Sequence, residues 1–111
     1  MALRKLSLNE WRPFLDQMTH EPSSKWAELE IASLDLGNQI VARDMRLLGI
    51  VYDARNDLLE INLEAIDHVV FKPREIFVDG PPVATVAVRS DDGALQIVHL
   101  REPVLLPSHS R

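Results

Sequence analysis

The chain contains no cysteine. That absence excludes a disulfide framework, a thiolate metal site and a cysteine nucleophile, and it fits a reducing compartment. Glycine is scarce, at Gly37, Gly49, Gly80 and Gly93, and none opens a helix as a phosphate-cradling loop does. No serine sits in a G-x-S-x-G elbow, and no histidine pair has H-x-x-x-H or H-E-x-x-H spacing. No apolar run approaches the ~18 residues of a membrane span, so no membrane partner is expected. The opening Met1-Ala2-Leu3-Arg4-Lys5-Leu6 carries charge with no apolar run behind it, unlike a secretory signal. A cytoplasmic location is the resulting expectation. Positive charge is also thin: Lys and Arg number 12 against 17 Asp and Glu, for a net charge of −5. The basic residues are scattered, and only Lys72 and Arg74 fall close together. A phosphate-binding surface needs clustered cations, so no nucleic-acid partner is expected.

What the chain does have is apolar alternation. Hydrophobic residues are 46% of its 111 positions, enough for a core in one domain spanning 1–111. The pattern predicts an N-terminal helix over 7–20, an antiparallel β region over 26–107 and a frayed tail over 108–111. Ser7 and Glu10 have the spacing of a capping box, and Leu6 with Trp11 that of a hydrophobic staple. Trp11, Phe14, Leu15 and Met18 share one helical face. Pro13 conflicts with that helix, since an interior proline costs about 3 kcal/mol. Either the helix bends there or it starts later than the cap implies. Glu21-Pro22-Ser23-Ser24 ends it.

Strands follow. Ala27, Leu29 and Ile31 alternate with Glu28 and Glu30. A short strand over 39–43 is separated by Asp44-Met45-Arg46, a break or bulge, from a strand over 47–52. Leu59, Ile61 and Leu63 face inward across the hairpin loop at 53–57. Residues 65–71 read either as an extension of that strand or as a turn and a short strand, ended by Pro73. Asp79-Gly80-Pro81-Pro82 forms a rigid turn, and a final hairpin joins 83–89 to 95–101. These last strands are apolar on both faces, which calls for a central place or a cover on each side. Gly49, inside a strand pattern, suggests a bulge or a close backbone approach.

Several stretches resemble a small bacterial family catalogued as domain of unknown function 5335. They are Leu47-Leu48-Gly49-Ile50-Val51-Tyr52-Asp53, Asp57-Leu58-Leu59-Glu60-Ile61 and Leu63-Glu64-Ala65-Ile66-Asp67-His68. Pro73-Arg74-Glu75-Ile76-Phe77-Val78 and Gln96-Ile97-Val98-His99-Leu100-Arg101-Glu102-Pro103 complete the set. The resemblance covers roughly 26–107. Its motifs are strand and turn patterns, and it implies no catalytic role, ligand or partner.

The candidate chemistry is sparse. Asp53, Asp57, Glu60, Glu64 and Asp67 concentrate acid, but Asp53 and Asp57 bracket a hairpin where Asp bonds backbone donors, and the spacing is no EF-hand. No metal and no cofactor is expected. Asp67 and His68 are the catalytic candidates, because a carboxylate beside an imidazole suits acid–base work. Adjacent strand residues point to opposite faces, so the pair needs a turn there, and a strand-end histidine bonded to backbone is the plainer reading. Tyr52, His68 and Arg74 are the candidates for a small-anion pocket. Tyr52, Trp26 and Trp11 also suit a core. Val98, Leu100, Val104, Leu105 and Leu106 are the candidates for an interface.

The expected fold is α+β and mainly β. One N-terminal helix packs on a curved antiparallel sheet of five to seven short strands, or on the same strands rolled into a partly open barrel. That outline is similar to the Sm-like architecture, an analogy of shape that gives no function. The leading functional expectation is a non-enzymatic interaction or assembly module, most simply a homodimer. The alternatives are a small-ligand-binding β domain and an enzyme using Asp67 and His68.

Overall fold

The computed structural model describes residues 3–20, 25–80 and 82–101. The elements run β1 (Arg4–Lys5), α1 (Leu8–His20), β2 (Trp26–Ser33), β3 (Gly37–Asp53), β4 (Leu58–Leu63), β5 (Asp67–Phe71), β6 (Pro73–Val78), β7 (Thr85–Ser90) and β8 (Leu95–Arg101). All strands are antiparallel to their neighbours and form one sheet in the order β1-β6-β7-β8-β2-β3-β4-β5. The mainly β, single-helix expectation holds. The strand number does not: among the described residues the sheet has eight strands, and its end strands β1 and β5 do not pair to close a barrel.

Two strands account for the difference. Arg4 and Lys5 pair with Val78 and Phe77 as a short first strand, which their charge disguised. Residues 65–71 resolve into a turn closed by Leu63 N–H donating to Ile66 C=O at 2.9 Å, followed by β5. Two expected strands, by contrast, are one. β3 runs through Asp44-Met45-Arg46, and Asp44 takes a φ of 56° within the irregular pairing to β2. Pro73 starts β6 rather than simply ending β5, because Lys72 before it turns the chain with a φ of 54°.

The helix starts where its cap predicts. Ser7 N–H donates to Glu10 Oε1 at 2.8 Å, the return arm of the capping box. That backbone bond holds the Glu10 carboxyl below its ordinary range. Pro13 lies inside α1 without displacing its start. The missing N–H falls opposite the Asn9 carbonyl, and both residues are on the exposed face, where water can serve that carbonyl. Leu6 and Trp11 are both buried, as the staple requires. The predicted helix end at 21–24 lies outside the described residues.

β3 explains the curvature of the sheet. Its first part pairs with β2 up to Arg46, opposite Trp26, and its second part pairs with β4 from Leu47 onward. The sheet therefore curls around one core. Leu29, Ile50, Ile61, Ile76, Val88 and Val98 are fully buried in it, and Trp11 and Leu15 close it from α1. Each such aliphatic side chain contributes about 1.5–3 kcal/mol by leaving water.

β7 and β8 take the central place that their double apolarity demanded. Val86, Val88 and Val98 face the core. On the outer face, Phe77, Ala87 and Ile97 lie in one row across β6, β7 and β8. Arg89 covers part of that row: its guanidinium lies 5.8 Å from the Phe77 ring centroid while pairing with Glu75.

Candidate functional site

Past Arg46, β3 has β4 on one side and, among the described residues, no strand on the other. The C-terminal end of α1 takes the vacant side. Ile50 N–H donates to Thr19 Oγ1 at 3.3 Å, and Thr19 Oγ1 lies 3.3 Å from Ile50 C=O as donor. The approach is close because position 49 is glycine: a Cβ there would stand 2.9 Å from Thr19 Cγ2. Gly49 is thus both beside a bulge, where the β3–β4 register shifts, and at a close backbone approach.

Farther along this edge, an open cleft of about 450 Å³ lies between α1 and the end of β3, lined by Arg12, Leu15, Asp16, Val51, Tyr52 and Asp53. Because Ile50 turns its backbone groups to Thr19, Tyr52, two residues on, turns its N–H and C=O to the same side. The Tyr52 ring meets Trp11 edge-on, with centroids 5.1 Å apart and planes at 79°. Trp11 Nε1 is buried with no hydrogen-bond partner among the described residues. Arg12 has no side-chain partner among the described residues. The cleft therefore offers one guanidinium, two carboxylates and a strand edge, donors and acceptors suited to a small polar molecule.

The pocket residues expected from the sequence only partly converge. Tyr52 and His68 share the inner face of β3, β4 and β5: Tyr52 lies opposite Leu59, and His68 opposite Ile61 in the next inward row. His68 is half-buried, and burial pushes its imidazole below its ordinary pKa. It does not line the cleft. Arg74 is elsewhere. Its Nη1 and Nε lie 3.2 Å from Asp57 and Asp91 respectively, so it ties two turns together. The Asp57 carboxylate first, and Asp91 with it, holds the guanidinium above its ordinary pKa against desolvation. Lys72 N–H donating to Asp57 C=O and Asp91 N–H donating to Lys72 C=O reinforce the same junction.

The acid–base candidates are separated by the pleat. Asp67 pairs with Asn62 on the outer face and is exposed, whereas His68 points inward. Of the acidic run, Asp53 serves its own turn by accepting from Asn56 Nδ2 at 2.8 Å, which holds its pKa low. Among the described residues no His, Asp and Glu group is placed to hold a metal ion. His99 pairs with Glu30 at 3.0 Å across β8 and β2. No described helix is long and apolar enough to cross a membrane.

Of the interface candidates, Val98 and Leu100 are 0% and 7% exposed and pack in the chain's own core. Val104, Leu105 and Leu106 lie outside the described residues. Exposed apolar side chains occur instead on the outer face of β3, β4 and β5. Val51 is 46% and Phe71 68% exposed. Val51 lies in one row with Glu60 and Val69, and Phe71 in the next with Leu58. Leu34 and Leu36 are also exposed, at the turn between β2 and β3. Thr19 and Arg12 carried no signal in the sequence, since a helical Thr and a helical Arg are both ordinary. The exposure of Phe71 followed from its parity with Val69, once the start of β5 was known.

A model of a family described as a family of unknown function (DUF5335) matches residues 2–109. The chain is also similar to a protein of Aquifex aeolicus (strain VF5) whose name is "Uncharacterized protein". The two are 28% identical over 111 residues, covering 96% of this chain and 99% of that one. No solved structure matches the chain.

Proposed function

The chain belongs to the family of unknown function DUF5335, and we propose that it is a non-enzymatic interaction module whose simplest working form is a homodimer. One observation carries this reading. Val51 and Phe71 are exposed on a regular sheet face, with the partly buried Val69 in the row of Val51. Apolar side chains grouped on such a face mark a contact surface. The cysteine-free composition supports work in the cytoplasm. Multi-angle light scattering over a wide concentration range tests the reading. The expected mass is twice the 12.6 kDa of one chain. A constant single-chain mass at the highest concentration overturns it.

The cleft between α1 and β3 favours a second reading, a small-ligand-binding domain. Its support is Arg12, which has no side-chain partner among the described residues, beside the strand edge at Tyr52. Titration of the chain with acetate, followed by amide NMR, tests it. Saturable shifts at Arg12 and Tyr52 are expected, and flat spectra end it.

A further inference from the structure

Among the described residues β5 is the last strand of the sheet, and its hydrogen-bond pattern defines what its outer edge offers. Leu63 N–H donates to Ile66 C=O at 2.9 Å, and Lys72 N–H donates to Asp57 C=O at 2.8 Å. Antiparallel pairs alternate between bonded and non-bonded positions. His68 and Val70 therefore turn their backbone groups to β4, and Asp67, Val69 and Phe71 turn theirs off the edge. That set repeats at every second residue with Val69 at its centre.

The other open edges carry features that discourage pairing. β1 is two residues long and both are basic. The exposed edge of β6 begins with Pro73 and Arg74. The part of β3 beyond β4 is bulged, with shifts in register and a positive φ at Asp44. β5 has none of these. It pairs with β4 in unbroken register over all five residues, and it contains no proline and no lysine.

The edge is also complementary to itself. Asp67 stands at its start and Lys72 just past its end, and neither has a side-chain partner among the described residues. An antiparallel copy placed about a two-fold axis at Val69 sets each Asp67 beside Phe71 and Lys72 of the second copy. Opposite charges then meet at both ends of the ladder. The same register joins all three outward-facing residues, because Asp67 opposes Phe71 and Val69 opposes itself. It also continues the row of Val51, Glu60 and Val69 across the junction, with the two Val69 side chains meeting at the axis. The net charge of −5 per chain opposes indiscriminate self-association, so matched end charges favour this one register.

We propose that β5 pairs antiparallel with β5 of a second copy about a two-fold axis at Val69, making one continuous sheet through the dimer. This rests on the homodimer reading above and names its contact.

The test uses full-length chains and light scattering, with circular dichroism to verify folding. Val69→Pro removes an N–H that points off the edge, so β4 keeps its bonds while the second copy loses one. It is expected to give a folded monomer. D67K and K72D each place like charges together and are expected to raise the dimer dissociation constant at least about tenfold at low salt. The D67K/K72D double swap is expected to recover most of that loss, and it decides the matter if Val69→Pro does not fold. A dimer indifferent to these changes overturns the β5 contact and leaves the homodimer reading standing. A wild-type monomer overturns both.

Discussion

Thr19 stands in for a strand at Ile50. Its hydroxyl lies 3.3 Å from both the N–H and the C=O that β2 leaves unserved where it ends opposite Arg46. One side chain thereby closes a partly buried edge, the backbone serves as both donor and acceptor, and α1 is locked to β3. Unserved backbone groups at such a place are costly.

Removing the hydroxyl tests the arrangement. Thr19→Ala leaves the Ile50 groups without that partner and is expected to cost about 1–2 kcal/mol in chemical denaturation. Gly49→Ala acts on the same contact from the other side, because the new Cβ meets Thr19 at 2.9–3.0 Å. Its expected cost is about 1–3 kcal/mol. The pair is expected to be strongly non-additive, since Thr19→Ala deletes both atoms that crowd the new methyl. Simple addition of the two losses would show that Thr19 and Gly49 act apart.

Trp11 and Tyr52 pose a different question. The indole N–H is buried without a partner among the described residues, while the ring fills the core between α1 and β3. Trp11→Phe removes the orphan donor and some volume together, so the two effects oppose each other. The expected change is within about 1 kcal/mol, against about 3–5 kcal/mol for Trp11→Ala. Equal losses for both variants would mean that the N–H is satisfied in solution and that ring volume is not what matters.

Much of this fold was legible in the alternation itself. Leu59, Ile61 and Leu63 read as an inward row and are buried. The capping residues Ser7 and Glu10 marked the start of α1 despite Pro13. Beyond the short charged strand β1, two misreadings share one cause. Asp44 and Lys72 adopt positive φ without being glycine, so the continuity of β3 and the start of β6 were invisible to residue type. The site was less legible than the fold. Arg74 looked like a free cation because Asp57 and Asp91, its partners, are distant in sequence. Tyr52 read as a pocket residue with His68 and Arg74 or as a core residue; it lies partly buried against Trp11 and lines the cleft beside α1 without those two.

Arg74 makes its own prediction. It is exposed, so its pairs with Asp57 and Asp91 are open to screening. Arg74→Gln is expected to lower the denaturation midpoint at low salt, and the difference from wild type is expected to shrink at about 1 M salt. A difference that persists in salt would assign the effect to the bond from Nη1 to Pro73 C=O, at 3.0 Å, rather than to the ion pairs.

His68 sets a pH dependence. Burial lowers its pKa in the folded chain from an unfolded value of about 6.5. Below that value the unfolded chain binds a proton that the folded chain resists, so stability falls as the pH falls. The contribution is fully present above about pH 6.5 and is lost as the pH drops from there toward the depressed folded value. The low-pKa carboxylates Glu75 and Glu30 act in a lower window, as each protonates and loses Arg89 or His99 respectively. His68→Gln is therefore expected to flatten the stability profile between about pH 7 and pH 5 while leaving the more acidic fall in place. The measurement is urea denaturation across that range at one fixed protein concentration, which keeps any dimerisation constant between samples. If wild type and His68→Gln fall in parallel through that window, the imidazole is protonated inside the folded chain, and the inward face of β5 is open to water.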